Sequence, residues 1–388
     1  MKITFIPVYR KQNNSNFLST AKKTTVINKS NVRFGSGVFL KHTINNYKGA
    51  LLGGAVGDAL GYPIEFMNLE HIRKVFGENG LYDYVLSNTG KALISDDTQM
   101  TMFTADGLIK STIKNKKISG MPDFKIIYRS YLNWLKTQFK LDGKIKNEGW
   151  ITDLDELYSS RAPGNTCFSA LLRQKCGSTS SPINSSKGCG GVMRVAPVGL
   201  MYYRNPAMAF KVGMECAAMT HGDPSAYLPA GIHSAIIANI LQGKKLVRAI
   251  EDSIKLLKQY PKHNEVMHGM LLAKSLAKKN VPPTEAIKTL GEGWCGDEAI
   301  FISTYCALKS QSNFRNGVLM AVNHSGDSDS TGAITGNILG AYLGLNRIPQ
   351  NWREKLELRD ELLKLASDLY VKTPHINTDI VKRYPINF

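Results

Sequence analysis

Two short acidic segments contain the residue types of a divalent metal site. Residues 95–98 read Ser-Asp-Asp-Thr and residues 327–331 read Asp-Ser-Asp-Ser-Thr, so each segment supplies two carboxylates and at least one hydroxyl. Four carboxylates gathered in one place repel one another unless a cation neutralises them. Oxygen ligands without cysteine or histidine suit Mg2+ or Mn2+ better than zinc, and two such segments can hold two ions. We therefore predict that the two segments bind divalent cations together.

Helix capping is the alternative explanation for each segment. Serine, threonine and aspartate are the favoured N-cap residues, the helix dipole favours negative charge in the first turn, and each segment opens an apolar-periodic helix. Either segment alone is better explained as a cap, whereas the two together favour the metal site. Glu65, which follows the first of two glycine-rich helices, is a natural fifth carboxylate.

A glycine-rich turn is a candidate phosphate-binding loop. Residues 188–194 read Gly-Cys-Gly-Gly-Val-Met-Arg, and residues 161–166 upstream read Arg-Ala-Pro-Gly-Asn-Thr. Backbone N–H groups in such turns approach phosphate oxygens, but an ordinary tight turn explains an isolated glycine run equally well, and no Walker-type Gly-Lys-Ser/Thr follows. Cys189 and His221 form a less favoured alternative, a thiol nucleophile with its base, because nothing in the sequence activates the thiol.

Two glycine stripes indicate the helices that position these segments. Glycine recurs at every fourth residue in two runs, Gly49, Gly53, Gly57 and Gly61, and then Gly332, Gly336, Gly340 and Gly344. Glycine inside a helix costs up to about 1 kcal/mol relative to alanine, so each stripe indicates that another element approaches the helix backbone closely. Neither run is long or apolar enough to span a membrane. We predict two buried central helices, packed against each other or against a common neighbour.

The rest of the chain predicts an all-α fold. Apolar residues recur at three- and four-residue spacing in several segments, and helix starts of the proline or Asp/Ser type recur, whereas alternating strand patterns are scarce. The periodic segments are 124–135, 226–241, 246–257, 318–322 and 356–369. These features predict one all-α domain over residues 47–388. Residues 1–46, polar and basic with two short β-like patches, are predicted to be a largely irregular extension.

Composition and charge narrow the class of protein. Of the 388 residues, 43% are hydrophobic and 21% charged, which excludes a disordered or fibrous chain. The net charge is +18, but residues 1–46 carry eight lysines and arginines and no acidic residue, and no nucleic-acid-binding signature accompanies the charge. Nucleic acid and membrane partners are therefore not expected. Six cysteines without a C-x-x-C pair suit a reducing compartment, so we expect a cytoplasmic protein, with an organelle transit peptide as the alternative.

Seven short blocks in one order resemble the ADP-ribosylglycohydrolases, the family of the dinitrogenase reductase-activating glycohydrolase. The resemblance covers about residues 47 to 370, and the ordered series is far more specific than any single block. The blocks are Gly-Asp-Ala-Leu-Gly with a following Glu (57–65), Ser-Asp-Asp-Thr (95–98), Pro-Gly-Asn-Thr (163–166), Met-Arg-Val-Ala-Pro (193–197), Thr-His-Gly-Asp-Pro (220–224), Gly-Trp-Cys-Gly-Asp-Glu-Ala (293–299) and Gly-Asp-Ser-Asp-Ser-Thr-Gly (326–332).

The resemblance implies an all-α fold around a binuclear magnesium site. By position it implies six metal ligands, Ser95, Asp96, Asp97, Asp327, Asp329 and Ser330, with Glu65 beside them as a mobile carboxylate. It implies an ADP-ribose-binding surface built from Asn165, Thr166, Ser186, Gly188, Gly190, Gly191 and His221. Two positions depart from the family pattern: Cys189 replaces the usual asparagine, and Lys187 stands where some members have an aromatic residue that stacks on the ligand.

The activity implied is hydrolysis of the glycosidic bond between ADP-ribose and a protein side chain, with the arginine guanidinium preferred and serine or O-acetyl-ADP-ribose linkages left open. One of Glu65, Asp96 and Asp97 should be the general base, with Asp97 and Glu65 favoured and no choice between them. Two Mg2+ ions are expected, with Mn2+ as the substitute. The alternative function is that of an immunity protein whose residues 1–46 bind and block an ADP-ribosyltransferase toxin, with or without hydrolysis.

Overall fold

The computed structural model describes residues 42–118, 120–139, 143–310, 313–371 and 374–386. These residues form α-helices joined by loops and single 3-10 turns, with two isolated β-bridges and no strand within the described ranges. The all-α prediction is therefore confirmed. The helices are α1 Ile44–Gly61, α2 Leu69–Phe76, α3 Asp96–Asn115, α4 Phe124–Gln138, α5 Asn165–Leu172, α6 Ala196–Met201, α7 Pro206–Ala218, α8 Pro224–Leu241, α9 Leu246–Leu257, α10 Asn264–Lys278, α11 Pro283–Leu290, α12 Gly296–Lys309, α13 Phe314–Val322, α14 Ser328–Leu343, α15 Gln350–Lys355, α16 Arg359–Tyr370 and α17 Thr378–Arg383.

The two glycine-striped helices, α1 and α14, form the centre of the fold and pack antiparallel. A Cβ atom placed on Gly53 would lie 2.5 Å from the carbonyl oxygen of Gly336, and one on Gly57 would lie 2.0 Å from that of Gly332. Residues further along α1 therefore contact residues nearer the start of α14. This contact confirms the prediction of two tightly packed central helices. Its consequence is that the end of α1 lies beside the start of α14.

Two predicted helix boundaries differ in the structure, one at the end of α14 and one at the start of α16. Gly344 lies just beyond α14 as its C-cap, with φ +80°, rather than inside the helix. The segment 356–369 is not one helix, because Leu356 and Glu357 run alongside Ala92: the N–H of Ala92 donates to Lys355 and the N–H of Glu357 donates back to Ala92. Leu358 then adopts φ +51° before α16 begins, so apolar spacing alone placed the helix start too early.

The remaining helices surround this central pair. α1 packs on α3, α6, α13 and α16, while α14 packs on α8, α12 and α13. Several helices begin where proline predicts them, with α7, α8 and α11 starting at Pro206, Pro224 and Pro283. No helix in the described ranges combines the length and the apolar character needed to cross a bilayer. The extension predicted for residues 1–46 lies outside the described residues as far as residue 41, and α1 begins within its last residues, at Ile44.

Candidate active site

Three helix ends converge on one group of buried carboxylates. The antiparallel pair brings Glu65, four residues beyond α1, to the start of α14, where ligand atoms of Glu65, Asp327 and Asp329 all lie within 4.8 Å of one another. The start of α3 joins this group through Ser330, whose hydroxyl donates to Asp97 Oδ1 across 3.4 Å. The two acidic segments, more than 200 residues apart in sequence, thus meet in one place, which we call the carboxylate centre (Glu65, Asp96, Asp97, Asp327 and Asp329).

The carboxylate centre is buried, and burial raises the pKa of Glu65, Asp96, Asp97 and Asp329. Burial raises the pKa of Glu65 to about 9, and the charges of Asp327, Asp96 and Asp58 add to that rise. Burial and neighbouring carboxylates likewise hold the pKa of Asp97 and of Asp329 well above the ordinary value. In the metal-free chain Glu65 therefore contributes stability below pH 4.5, and this contribution is lost as the pH rises through about 9.

The donor set of the carboxylate centre fits a hard divalent cation. Glu65 Oε2 and Asp97 Oδ2 are buried and accept no hydrogen bond from the described residues. None of the five carboxylates forms an ion pair with a lysine, arginine or histidine in the described ranges. Buried carboxylates without a cationic partner are costly, and a metal ion removes that cost. The centre can therefore hold metal through oxygen atoms alone.

Capping and ligand positions coincide at both acidic segments. The hydroxyl of Ser95 accepts from the N–H of Asp97 at the start of α3, and Asp327 Oδ1 accepts from the N–H of Ser330 at the start of α14. The N-cap explanation is thus correct for both segments, and it does not exclude the metal site, because Asp327 still lines the cavity and its Oδ2 accepts only from the Cys189 thiol among the described residues. Ser95 differs, since its fully buried hydroxyl lies on the backbone of α3 rather than on the cavity wall.

Asp58 supports the carboxylate centre from behind and was missed by sequence reasoning. It is fully buried on α1, and its carboxylate accepts from the N–H groups of Ser95 and Thr98 and from the Thr98 hydroxyl. These bonds attach the start of α3 to the central helix pair. Burial raises the pKa of Asp58 to about 6, against the opposing effect of these hydrogen bonds. A single acidic residue inside an otherwise uncharged glycine-striped segment was the available signal.

The loop at residues 161–166 holds the other side of the centre. The N–H of Gly164 donates to Asp96 Oδ2 at 3.2 Å, and the N–H of Asp96 donates to the carbonyl of Arg161. Arg161 pairs through both guanidinium nitrogens with Glu357, which fixes the loop to the segment before α16. The carboxylate of Asp96 therefore faces the upstream loop.

A cavity of about 410 Å³ lies over the carboxylate centre. Most residues predicted for the site line it: Glu65, Asp96, Asp97, Asn165, Thr166, Gly188, Gly190, His221, Asp327, Asp329 and Ser330. Three predicted residues do not line it, namely Ser95, Ser186 and Gly191. The Ser186 hydroxyl lies 2.9 Å from the Thr166 hydroxyl and accepts from the N–H of Gly188, so it supports the lining residues. Gly191 lies against Ala217.

The glycine loop is a 3-10 turn at Cys189–Gly191, packed on His221. A Cβ on Gly190 would lie 2.6 Å from Cys167 Sγ and 3.0 Å from His221 Cε1, so close packing requires glycine there. Burial and the charge of Arg194 lower the pKa of His221 to about 3. His221 is therefore neutral at physiological pH and can take part in binding as a neutral hydrogen-bonding group.

Cys189 has no features of an activated nucleophile. Its thiol donates to Asp327 Oδ2 at 2.7 Å, and burial together with that carboxylate holds its pKa well above the ordinary value. His221 instead pairs through Nδ1 with the Thr220 hydroxyl at 2.8 Å. The thiol–imidazole alternative is thus not supported. Lys187, the other departure from the family pattern, lies 3.8 Å from Glu265 and does not line the cavity.

Two aromatic side chains at the cavity mouth were also missed by sequence reasoning. Phe66 and Trp294 both line the cavity and stack on each other, with ring centroids 5.8 Å apart and planes inclined by 17°. Phe66 directly follows Glu65, and the carbonyl of Trp294 accepts from the N–H of Cys189. Their spacing in sequence gives no periodic signal, because they meet only through the fold.

Comparisons with known proteins agree with this architecture. A model of the ADP-ribosylglycohydrolase family matches residues 41–377. An ADP-ribosylarginine hydrolase of Pseudomonas putida is 24% identical over 87% of this chain and 81% of its own length. An ADP-ribosyl-(dinitrogen reductase) glycohydrolase of Rhodospirillum rubrum is 24% identical over 81% of this chain and 90% of its own.

A solved structure agrees in fold. A chain of an ADP-ribosylglycohydrolase-related protein complex aligns with a TM-score of 0.53 at 22% identity, covering 84% of this chain and 97% of that chain. The family model spans most of the sequence, including both acidic segments, the glycine loop and Trp294. The chain belongs to the ADP-ribosylglycohydrolase family and is a hydrolase of the glycosyl type.

Proposed function

We propose that the protein releases ADP-ribose from modified protein side chains, with ADP-ribosyl-arginine as the preferred substrate and Mg2+ as the cofactor. The observation that carries the proposal is the carboxylate centre, in which oxygen atoms of Glu65, Asp327 and Asp329 lie within 4.8 Å of one another beneath a cavity of about 410 Å³. The arginine preference is supported by the similarity to a relative named as an ADP-ribosylarginine hydrolase.

Metal ligands are proposed from both acidic segments. Asp96, Asp97, Asp327 and Asp329 supply carboxylate oxygens, and Ser330 supplies a hydroxyl between the segments. When bound, Mg2+ would supply Lewis-acid stabilisation of charge and orient the ribose hydroxyls beside the scissile bond. Mn2+ has similar ligand preferences and would substitute. The Ser95 hydroxyl accepts from the Asp97 N–H with one lone pair and would offer the metal its second.

Asp97 and Glu65 are the two candidates for the general base. Each has one buried carboxylate oxygen without a hydrogen-bond partner among the described residues, and each lines the cavity. Such an oxygen is free to accept a proton from a water molecule as the water oxygen bonds to the anomeric carbon and the carbon–nitrogen bond breaks. The carboxyl group then gives that proton to the departing side-chain nitrogen. Asp97 is the more firmly held of the two, because Ser330 donates to its other oxygen.

His221 and the glycine loop are proposed to bind the ADP-ribose phosphates. Arg194 donates to the Thr220 hydroxyl oxygen at 2.7 Å, and the hydroxyl proton then goes to His221 Nδ1 at 2.8 Å rather than to the more distant Ala217 carbonyl at 3.4 Å. That arrangement places the ring proton on Nε2, where it can be donated to a phosphate oxygen. Gly188 and Gly190 bring backbone to the same surface without a side chain between it and the ligand.

Serine and O-acetyl linkages to ADP-ribose are the alternatives within this site. The second function raised by the sequence, a direct block of an ADP-ribosyltransferase toxin, depends on residues 1–46. Residues 1–41 lie outside the described structure, and no observation on the described residues favours that function.

The test is release of free ADP-ribose from an arginine-modified protein by enzyme stripped of metal with EDTA. We expect negligible release by the stripped enzyme and recovery when Mg2+ is restored, because the carboxylate centre without cations lacks the Lewis acid that would stabilise charge at the scissile bond. Serine-modified protein and O-acetyl-ADP-ribose, assayed in parallel, decide the linkage. An unchanged rate in EDTA would contradict the metal-dependent proposal, and release from the serine substrate alone would contradict the arginine preference.

A further inference from the structure

The wall of the cavity is acidic, although the ADP-ribose proposed to bind there carries a negatively charged diphosphate. Among the described residues that line the cavity, none is a lysine or an arginine. His221 lines it too, but burial and the charge of Arg194 lower the pKa of its ring to about 3, so the ring is neutral. Apart from bound metal ions and backbone N–H groups, positive charge can therefore reach the diphosphate only from behind the cavity wall.

Arg194 lies behind that wall and has no acidic partner. It is fully buried and takes part in none of the ion pairs of the described residues. Its guanidinium donates to Cys167 Sγ at 3.3 Å and to the Thr220 hydroxyl at 2.7 Å, and its Cζ lies 4.4 Å from the centroid of the Tyr131 ring. Arginine stays ionised in proteins, so a full positive charge is buried here without a carboxylate to neutralise it, which is costly.

One layer of side chains separates Arg194 from the cavity. Cys167, which Arg194 contacts, lines the cavity, and a Cβ on Gly190 would lie 2.6 Å from its Sγ. Thr220, which Arg194 also contacts, pairs with His221 on the same wall. The guanidinium thus lies directly behind the glycine loop and His221. The charge of Arg194 is one cause of the lowered pKa of His221, so its field crosses this layer.

Helix capping is the structural alternative for Arg194. Its guanidinium donates at 3.0 Å to the carbonyl of Cys216, in the last turn of α7, where cationic side chains stabilise a helix. A cap affects the stability of the protein as a whole. A charge that acts on the ligand weakens, when it is removed, only the binding of ligands that are themselves charged.

We propose that Arg194 acts across the layer of Cys167 and His221 as the cation that favours the diphosphate of ADP-ribose at the glycine loop. This inference rests on the proposed function, and it adds a residue that touches neither metal nor ligand. A buried charge acts at such a distance because little solvent lies in between to screen it. The buried cation without a carboxylate partner and the anionic ligand would then balance each other.

Calorimetric titration of the Mg2+-loaded protein with ADP-ribose and with uncharged adenosine tests the inference. Arg194→Gln removes the charge and keeps a donor for the Thr220 hydroxyl. We expect its dissociation constant for ADP-ribose to rise roughly ten-fold, and that for adenosine to change by less than about two-fold. Equal weakening of both ligands would assign Arg194 a purely structural role, and unchanged affinity for ADP-ribose would show that its charge does not reach the ligand.

Met100 offers a second test that leaves Arg194 in place, should Arg194→Gln fail to fold. Met100 Sδ lies 3.6 Å from a guanidinium nitrogen of Arg194, and Met100 does not line the cavity. Met100→Glu places a carboxylate beside the guanidinium and neutralises it, while Met100→Gln has the same size and no charge. Affinity for ADP-ribose should fall roughly ten-fold in Met100→Glu and stay within about two-fold of the wild-type value in Met100→Gln.

Equal affinity of the two Met100 variants for ADP-ribose would overturn the inference. Thermal unfolding with Mg2+ shows that both variants fold and bind metal. Every readout is the binding of a ligand that the protein does not cleave, so the result does not depend on hydrolysis. A protein that bound ADP-ribose in this charge-dependent way but released none from modified arginine would contradict the proposed function and leave the role of Arg194 standing.

Discussion

Replacing Asp329 with asparagine is expected to stabilise the metal-free protein while it abolishes hydrolysis. Asp329 is 2% exposed, and burial together with Glu65, Asp97 and Asp327 raises its pKa well above the ordinary value. Asparagine avoids both the repulsion of a buried charge and the cost of protonating the carboxyl group on folding, so the melting temperature near neutral pH should rise by about 1–3 °C. The rate of ADP-ribose release should fall about a thousand-fold, because a ligand of the metal is lost.

Thermal unfolding with and without Mg2+ is the second measurement on this variant. Saturating Mg2+ should raise the melting temperature of the wild-type protein and leave that of Asp329→Asn nearly unchanged, since a cation that binds only the folded state stabilises it. Hydrolysis at the wild-type rate, or a Mg2+-induced shift as large as that of the wild type, would contradict the role assigned to Asp329.

Asp106→Asn is the matched control, because Asp106 is also a buried carboxylate on the same chain but has cationic and hydroxyl partners. Its Oδ2 lies 2.8 Å from Lys110 Nζ and accepts from the Ser130 hydroxyl at 2.7 Å. Breaking this buried pair should lower the free energy of unfolding by about 3 kcal/mol. The same chemical change is thus expected to have opposite effects on stability at the two sites, and only the change at position 329 should remove the response to Mg2+.

Gly336→Ala is expected to cause a large loss of stability, because it adds a methyl group at the backbone contact of the central pair. The added Cβ would lie 2.0 Å from the carbonyl oxygen of Gly53 and 2.6 Å from its carbonyl carbon, and both are backbone atoms of a buried helix. Neither helix can yield without moving its neighbours, so we expect the free energy of unfolding to fall by about 3 kcal/mol or more. Urea unfolding measures this loss.

Gly120→Ala provides the control for the glycine prediction. A Cβ at Gly120 would meet only the flexible end of Lys117, at 3.5 Å, so the free energy of unfolding should stay within about 0.5 kcal/mol. Displacement of α14 in Gly336→Ala should also separate Asp329 from Glu65 and weaken Mg2+ binding. If Gly336→Ala unfolded at the wild-type urea concentration, the two helices would not be in backbone contact.

The helical fold and the clustering of the acidic segments could be predicted from the sequence only in part. Glycine at every fourth residue predicts a close helix contact, because only that geometry offsets the cost of glycine in a helix. The partner of each stripe was left open, since periodicity describes one helix at a time. The acidic segments suggested a common site because their charges require a cation, but the convergence itself depends on α1 and α14 running antiparallel.

The parts that sequence reasoning missed share a physical cause, which is that they depend on contacts between distant segments. Asp58 acts through the N–H groups of Ser95 and Thr98, some forty residues away. Phe66 and Trp294 meet across more than two hundred residues. The start of α16 was placed too early because Leu356 pairs with Ala92, and apolar spacing in a single segment does not reveal such a pairing.

Locating the bound ions tests the shared metal centre most directly. Crystals grown with saturating Mn2+ allow the metal to be found by its anomalous scattering, without reference to activity. We expect density between the two acidic segments, within about 2 Å of carboxylate oxygens from Asp97 on one side and from Asp327 and Asp329 on the other. Density bound by one segment alone, or none at this position under saturating Mn2+, would show that the two segments do not form one metal centre.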